Sequence, residues 1–111
     1  MTKNRYYSWV GCDNITNRAL AYLGYAIKQL KSITFLYLDC SFWSNIDNQA
    51  LIALRIFLGY LPKLKNLILL FDYCRNLTYK AFENFKTEIK KVKNLESLRL
   101  RFCQLYDMGE E

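Results

Sequence analysis

The sequence predicts an α/β fold, a short solenoid of about three repeats of 31 residues in which strands and helices alternate. Three observations lead there. Leu30, Leu61 and Val92 stand 31 residues apart, and apolar residues recur at the third, sixth and eighth positions after each. Each repeat then changes its hydrophobic period from two to that of a helix. A short polar side chain, Thr16, Asp47 or Thr78, precedes every helical stripe at the same phase. A fixed period of about 20–50 residues is the mark of a stacked-repeat architecture, in which one unit cannot bury its apolar face alone.

The strands come first in each repeat. Ile33, Leu36 and Leu38 are matched by Leu64, Leu67 and Leu69, and then by Leu95, Leu98 and Leu100. Their closing alternation puts one side of a strand in the core and leaves the residues between them on the other side. Trp9, Phe71 and Phe102 lie two residues past the last apolar strand position and, with Cys40, are expected to point inward. Arg5 occupies the phase of Leu36, Leu67 and Leu98, so the first copy is expected to lack a proper strand.

The helices follow. Ala50, Leu51, Leu54, Leu58 and Leu61 fall on one helical stripe. Ala81, Phe82, Phe85, Ile89 and Val92 repeat it, as do Ala19, Leu20, Leu23, Ile27 and Leu30. Thr16, Asp47 and Thr78 can each accept from a first-turn backbone N–H, which makes them expected N-caps. The sequons at Asn14 and Asn76 end in two of these caps, so they read as turn and cap rather than as glycosylation acceptors.

Composition bounds the function. The chain has 111 residues, 52% hydrophobic, a formal net charge of +6 and no histidine, which fits one domain with an ample core. Without histidine the usual neutral-pH general base and the commonest metal ligand are missing. Cys12, Cys40, Cys74 and Cys103 are 28, 34 and 29 residues apart, with no CxxC pair, and are expected to be reduced thiols in a cytoplasmic protein. Residues 1–10 carry no apolar signal core. The most apolar run, 51–61, is broken by Arg55 and is far short of the roughly 18 residues of a membrane span. Neither a membrane partner nor a cofactor is expected. No phosphate-binding loop, nucleophile elbow or kinase signature is present, and no catalytic residue is assigned, so the expectation is a protein that is not an enzyme.

The strand segments resemble the LxxLxL core of leucine-rich repeats. The copy at 93–105, with Leu95, Leu98, Leu100, Cys103 and Leu105, resembles the cysteine-containing, ribonuclease-inhibitor-like subtype. Asp107 and Gly109 resemble the acidic-x-Gly turn that opens the next helix there. The likeness covers nearly all of 5–109, although a period of 31 exceeds the length of about 28–29 residues usual for that subtype. It implies parallel strands on a concave face, helices on a convex face, and a non-catalytic protein-binding module. The chain is expected to be a single domain, 1–111, and a fragment of a longer array whose uncapped ends invite self-association.

On that concave face the resemblance and the alternation together place Phe35, Tyr37 and Asp39, Ile68 and Leu70, and Arg99 and Arg101. Exposed aromatics beside arginine are enriched where proteins bind one another. Strands spaced by about 4.8 Å, with about five residues each, give only a few hundred Å². A standard interface needs roughly 800 Å² from each partner. Two alternatives stay open: a basic module contacting nucleic acid, and a truncated repeat fragment with no independent function. Lys80, Lys86, Lys90, Lys91 and Lys93 cluster around the last helix, but no recognition motif accompanies them and they read as a solvated face.

Overall fold

A computed structural model of the chain describes residues 4–8, 17–42 and 47–103. Four strands and three helices alternate: β1 (Asn4–Ser8), α1 (Asn17–Ile27), β2 (Phe35–Asp39), α2 (Asn48–Leu58), β3 (Asn66–Leu70), α3 (Tyr79–Ile89) and β4 (Ser97–Arg101). The strands form one parallel sheet in chain order. Paired residues are 31 apart throughout, as in Arg5 with Leu36, Leu36 with Leu67, and Leu67 with Leu98. A helix covers each connection, as parallel neighbours require.

Two of the expected N-caps are in place. The Asp47 carboxylate accepts from Gln49 N at 2.9 Å, and the Thr78 hydroxyl accepts from Ala81 N at 3.1 Å. Both caps have extended backbone, and the helix begins at the next residue. Thr16 lies outside the described residues, as do Trp9, Cys12, Asn14, Leu105, Asp107 and Gly109. From α2 the stripe Ala50, Leu51, Leu54, Leu58 is buried, and from α3 Phe82, Phe85 and Ile89. These meet Leu36, Leu38, Leu67 and Leu69 from the sheet in one core. Phe71 is fully buried, with Phe82 and Phe85 edge-on to its ring at 6.5 and 6.4 Å. Phe102 is half-buried and stacks on Phe82 at 4.7 Å. Cys40 and Cys74 are buried, with Cys74 Sγ donating to the Cys40 carbonyl at 3.1 Å, and Cys103 is half-buried.

Contacts between neighbouring helices are specific. At Gly24 α1 leaves no room for a side chain, because a Cβ there would overlap the Phe57 ring of α2. Asn48 joins the two helix starts, its Oδ1 accepting from Thr78 N at 3.1 Å while its Nδ2 donates to Thr78 Oγ1 at 3.4 Å. Arg55 Nε donates to the Glu88 carbonyl at 3.2 Å, which ties α2 to the last turn of α3. Lys86 and Lys91 pair with Glu83 and Glu88 on the outer side of α3. Lys80, Lys90 and Lys93 are exposed beside them.

The first copy differs from expectation, because it does form a strand. Asn4–Ser8 pairs with β2 along its full length despite Arg5 in the inward position. Ladder hydrogen bonds belong to the backbone, so an adjacent strand can template an edge strand whose side chains suit the core poorly. Arg5 remains half-buried, its Nε enclosed with no hydrogen-bond partner among the described residues. Tyr7, at the phase of Leu38, packs against the core.

Candidate functional site on the open sheet face

All three helices lie on one side of the sheet, so its other side carries the outward residues of four aligned strands. Alternation sets the rows. Leu36 and Leu38 are fully buried, whereas Phe35, Tyr37 and Asp39 around them are half-exposed. The register then lines up Tyr6, Tyr37, Ile68 and Arg99 across the middle of the face. One row toward the strand starts contains Asn4, Phe35, Asn66 and Ser97, and one row the other way contains Ser8, Asp39, Leu70 and Arg101.

Of the seven residues expected on this face, six are at least partly open. Phe35, Tyr37, Asp39 and Ile68 are half-exposed, and Arg99 and Arg101 are exposed. Leu70 is a correction: it is only 6% exposed. It belongs to an inner strand and sits between Asp39 on β2 and Arg101 on β4, so neighbouring strands flank it on both sides. The Leu70 side chain therefore supports the face from beneath rather than offering a contact.

Tyr6 went unseen in the sequence because the first copy was read without a strand. It is 65% exposed, and its ring lies 5.2 Å from Phe35 and 5.9 Å from Tyr37, both tilted. Aromatic rings at such distances gain from their quadrupoles as well as from burial. The face is thus graded, with three aromatic rings over β1 and β2, Ile68 in the middle, and two guanidinium groups over β4. The signal that could have found Tyr6 was its spacing of 31 from Tyr37.

A polar cluster closes the face where the strands end. Arg101 Nε donates to Asp72 Oδ2 at 2.6 Å, while Asp72 Oδ1 is enclosed with no partner among the described residues. Asp39 Oδ1 accepts from Ser41 N, and Ser41 Oγ accepts from Asp72 N, each at 3.1 Å. Beyond it Phe42 and Tyr73 stack at 5.0 Å, and both have left-handed backbone with φ of 68° and 60°. Bulky residues rarely adopt that conformation. Here it lets Phe42 N reach Asp72 O at 2.8 Å and Tyr73 N reach Cys103 O at 2.7 Å, so the ladder runs on past the strands. The Tyr73 phenol is pushed above the usual tyrosine range, first by its hydrogen bond with the Cys103 thiol.

No family model, curated protein or solved structure gave a match to the chain. Among the described residues no group of three or more His, Cys, Asp or Glu could hold a metal ion, and no helix is long and apolar enough to cross a membrane. The chemistry this face presents is aromatic, aliphatic and cationic contact.

Proposed function

We propose that this chain is a leucine-rich-repeat module of the ribonuclease-inhibitor-like kind, and that its open sheet face binds a protein partner without catalysis. The observation that carries the reading is the central row of Tyr6, Tyr37, Ile68 and Arg99, aligned across four strands with no helix over it among the described residues. Leucines at the inward positions, helices packed on one face and a spacing of 31 between paired residues support the repeat assignment. The aromatic end can anchor apolar side chains of a partner, and Arg99 and Arg101 can meet its carboxylates. Four strands remain too small for a standard interface, so the partner must also touch adjoining loops or be held by further repeats.

The test is selection of protein binders against the full chain, with contacts mapped by amide exchange. Binders that protect β2 to β4, and that lose at least about tenfold in affinity with Tyr37→Ser or Arg99→Glu, support the reading. Binders that all map to the helices overturn it. Affinity for single-stranded nucleic acid that falls steeply with salt and is lost on Arg99→Glu would replace it with the nucleic-acid alternative.

A further inference from the structure

The outer surfaces of the three helices are unlike one another, although the helices occupy equivalent places. Positions that face away from the sheet on α3 carry Glu83, Asn84 and Thr87, with Lys80, Lys86 and Glu88 around them. This is an ordinary solvated surface with two lysine–glutamate pairs. The residues 31 earlier on α2 include Ile52 and Ile56, which are 55% and 52% exposed. On α1 the outward residues include Tyr22 and Tyr25, and the turn after α2 adds Tyr60, all half or more exposed. Five of the eight large hydrophobic residues exposed among the described residues are thus gathered on α1, α2 and the turn between α2 and β3.

Basic residues lie beside them, with Arg18 on α1, Lys28 and Lys31 just after it and Arg55 on α2, while Lys63 and Lys65 follow in the connection to β3. Segments 14–38 and 48–71 contain Arg18, Lys28, Lys31, Arg55, Lys63 and Lys65 and no acidic residue. The rest of the chain has ten basic and ten acidic residues, so these two segments account for the whole +6. Lys28 Nζ lies 5.1 Å from the Tyr25 ring centre and 5.0 Å from that of Tyr60, and Lys31 Nζ lies 5.9 Å from Tyr60. Ile52 and Ile56 line an open groove of about 340 Å³ between α2 and α3, together with Leu51, Phe85, Arg55 and an exposed Glu88 that is paired with Lys91.

We propose that the outer face of α1 and α2 is a docking surface for an anionic lipid bilayer. Exposed isoleucine suits the acyl boundary, tyrosine suits the headgroup layer, and lysine with its long stem suits the anionic surface above. A second copy of the chain is a poor occupant, because a two-fold contact would set the cationic segment against itself. Nucleic acid would use the lysines and tyrosines but has no use for two exposed isoleucines. The surface lies opposite the open sheet face, so both can be occupied at once. It departs from the expectation of no membrane partner, since a surface that only lies on the bilayer needs no spanning segment.

Co-sedimentation of the full chain with lipid vesicles tests this. One set is pure phosphatidylcholine and the other includes about one third phosphatidylserine, at low salt. Binding is expected to the anionic set alone. Ile52→Ser with Ile56→Ser, both at exposed positions, should weaken it by more than about tenfold while the thermal melt is preserved. Lys28→Glu with Lys31→Glu should weaken it by at least as much. Tyr37→Ser and Arg99→Glu on the sheet face should leave it unchanged, which separates this surface from the protein-binding one. No binding to the anionic vesicles overturns the proposal. So does binding that ignores the isoleucine changes and is matched by polyglutamate or heparin, which would make the face a general polyanion site.

Discussion

Buried side chains at the inward strand positions set how much single changes cost. Leu67 is 1% exposed between Leu36 and Leu98. Leu67→Ala should therefore cost about 2–5 kcal/mol. A chain this short has a total stability near the low end of about 5–15 kcal/mol, so chemical denaturation should show most of it lost. An unchanged urea midpoint would mean Leu67 is not in the core. Thr78 makes a smaller, sharper test. Thr78→Ala removes the acceptor for Ala81 N and for Asn48 Nδ2, and should cost about 1 kcal/mol. Thr78→Asp retains an acceptor and places a negative charge at a helix start whose first turn has none, so it should be neutral or slightly stabilising in thermal melts. Equal damage from both variants would remove Thr78 from the cap. Cys40 supplies a pH dependence. Burial, and then the nearby Cys74 and Asp39, push its thiol well above the usual range. A folded state that binds a proton the unfolded chain has released loses stability as pH rises. The Cys40 contribution is thus fully present below the ordinary thiol pKa and is lost from there upward, through the folded value. Stability measured by urea should be flat near neutrality and decline in alkaline solution, and less so in Cys40→Ala once its lower baseline is subtracted. An alkaline decline of the same size in Cys40→Ala would assign the loss to another group.

Among the elements, α2, α3, β2 and β3 were legible because their apolar periods are unbroken, and Asp47 and Thr78 fixed their starts to the residue. β1 was not legible, since Arg5 interrupts the pattern while the backbone pairing that makes the strand leaves no trace in side-chain type. Leu70 misled for the opposite reason: alternation gives the side of the sheet correctly, but not how deeply an inner-strand residue is buried there. The outer faces of α1 and α2 were missed because a helix is recognised by its inward stripe, and Tyr22, Tyr25, Ile52 and Ile56 lie off that stripe. Gly24 shows the same limit. Glycine within a helix is usually a weakness of about 1 kcal/mol relative to alanine. Here the Phe57 ring fills the place a Cβ would take, so Gly24→Ala should instead destabilise, by about 1–3 kcal/mol. In a Phe57→Ala background the same change should become neutral or stabilising, because the obstruction has gone. The same loss in both backgrounds, measured by urea denaturation, would show that the helices do not meet at Gly24.

The whole molecule has two sheet edges, and they are not equally guarded. Edge strands pair readily with other chains unless charge or distortion blocks them, and an inward-pointing charge is one of the stronger blocks. β1 has that device in Arg5, a half-buried guanidinium at a position where a paired strand would place an aliphatic residue. β4 has no counterpart. Its inward residues are Leu98 and Leu100, both half-exposed, with Leu95 and Phe102 half-exposed on either side. Among the described residues no strand pairs with its outer side. Arg99 and Arg101 oppose association, but they lie on the open face, and Arg101 is partly neutralised by Asp72. Their repulsion acts through solvent and is screened beyond about 8 Å at physiological salt. Self-association through β4 should therefore strengthen with salt, the reverse of phosphate binding. It should also be suppressed by Leu98→Lys, which gives β4 the inward charge that β1 has. Sedimentation velocity over a concentration series, at low and high salt, reads both effects. A chain that stays monomeric at about 100 μM in either salt, above the dissociation constant of a weak dimer, would mean that the β4 edge is covered. Association that persists unchanged in Leu98→Lys would move the contact away from the β4 edge.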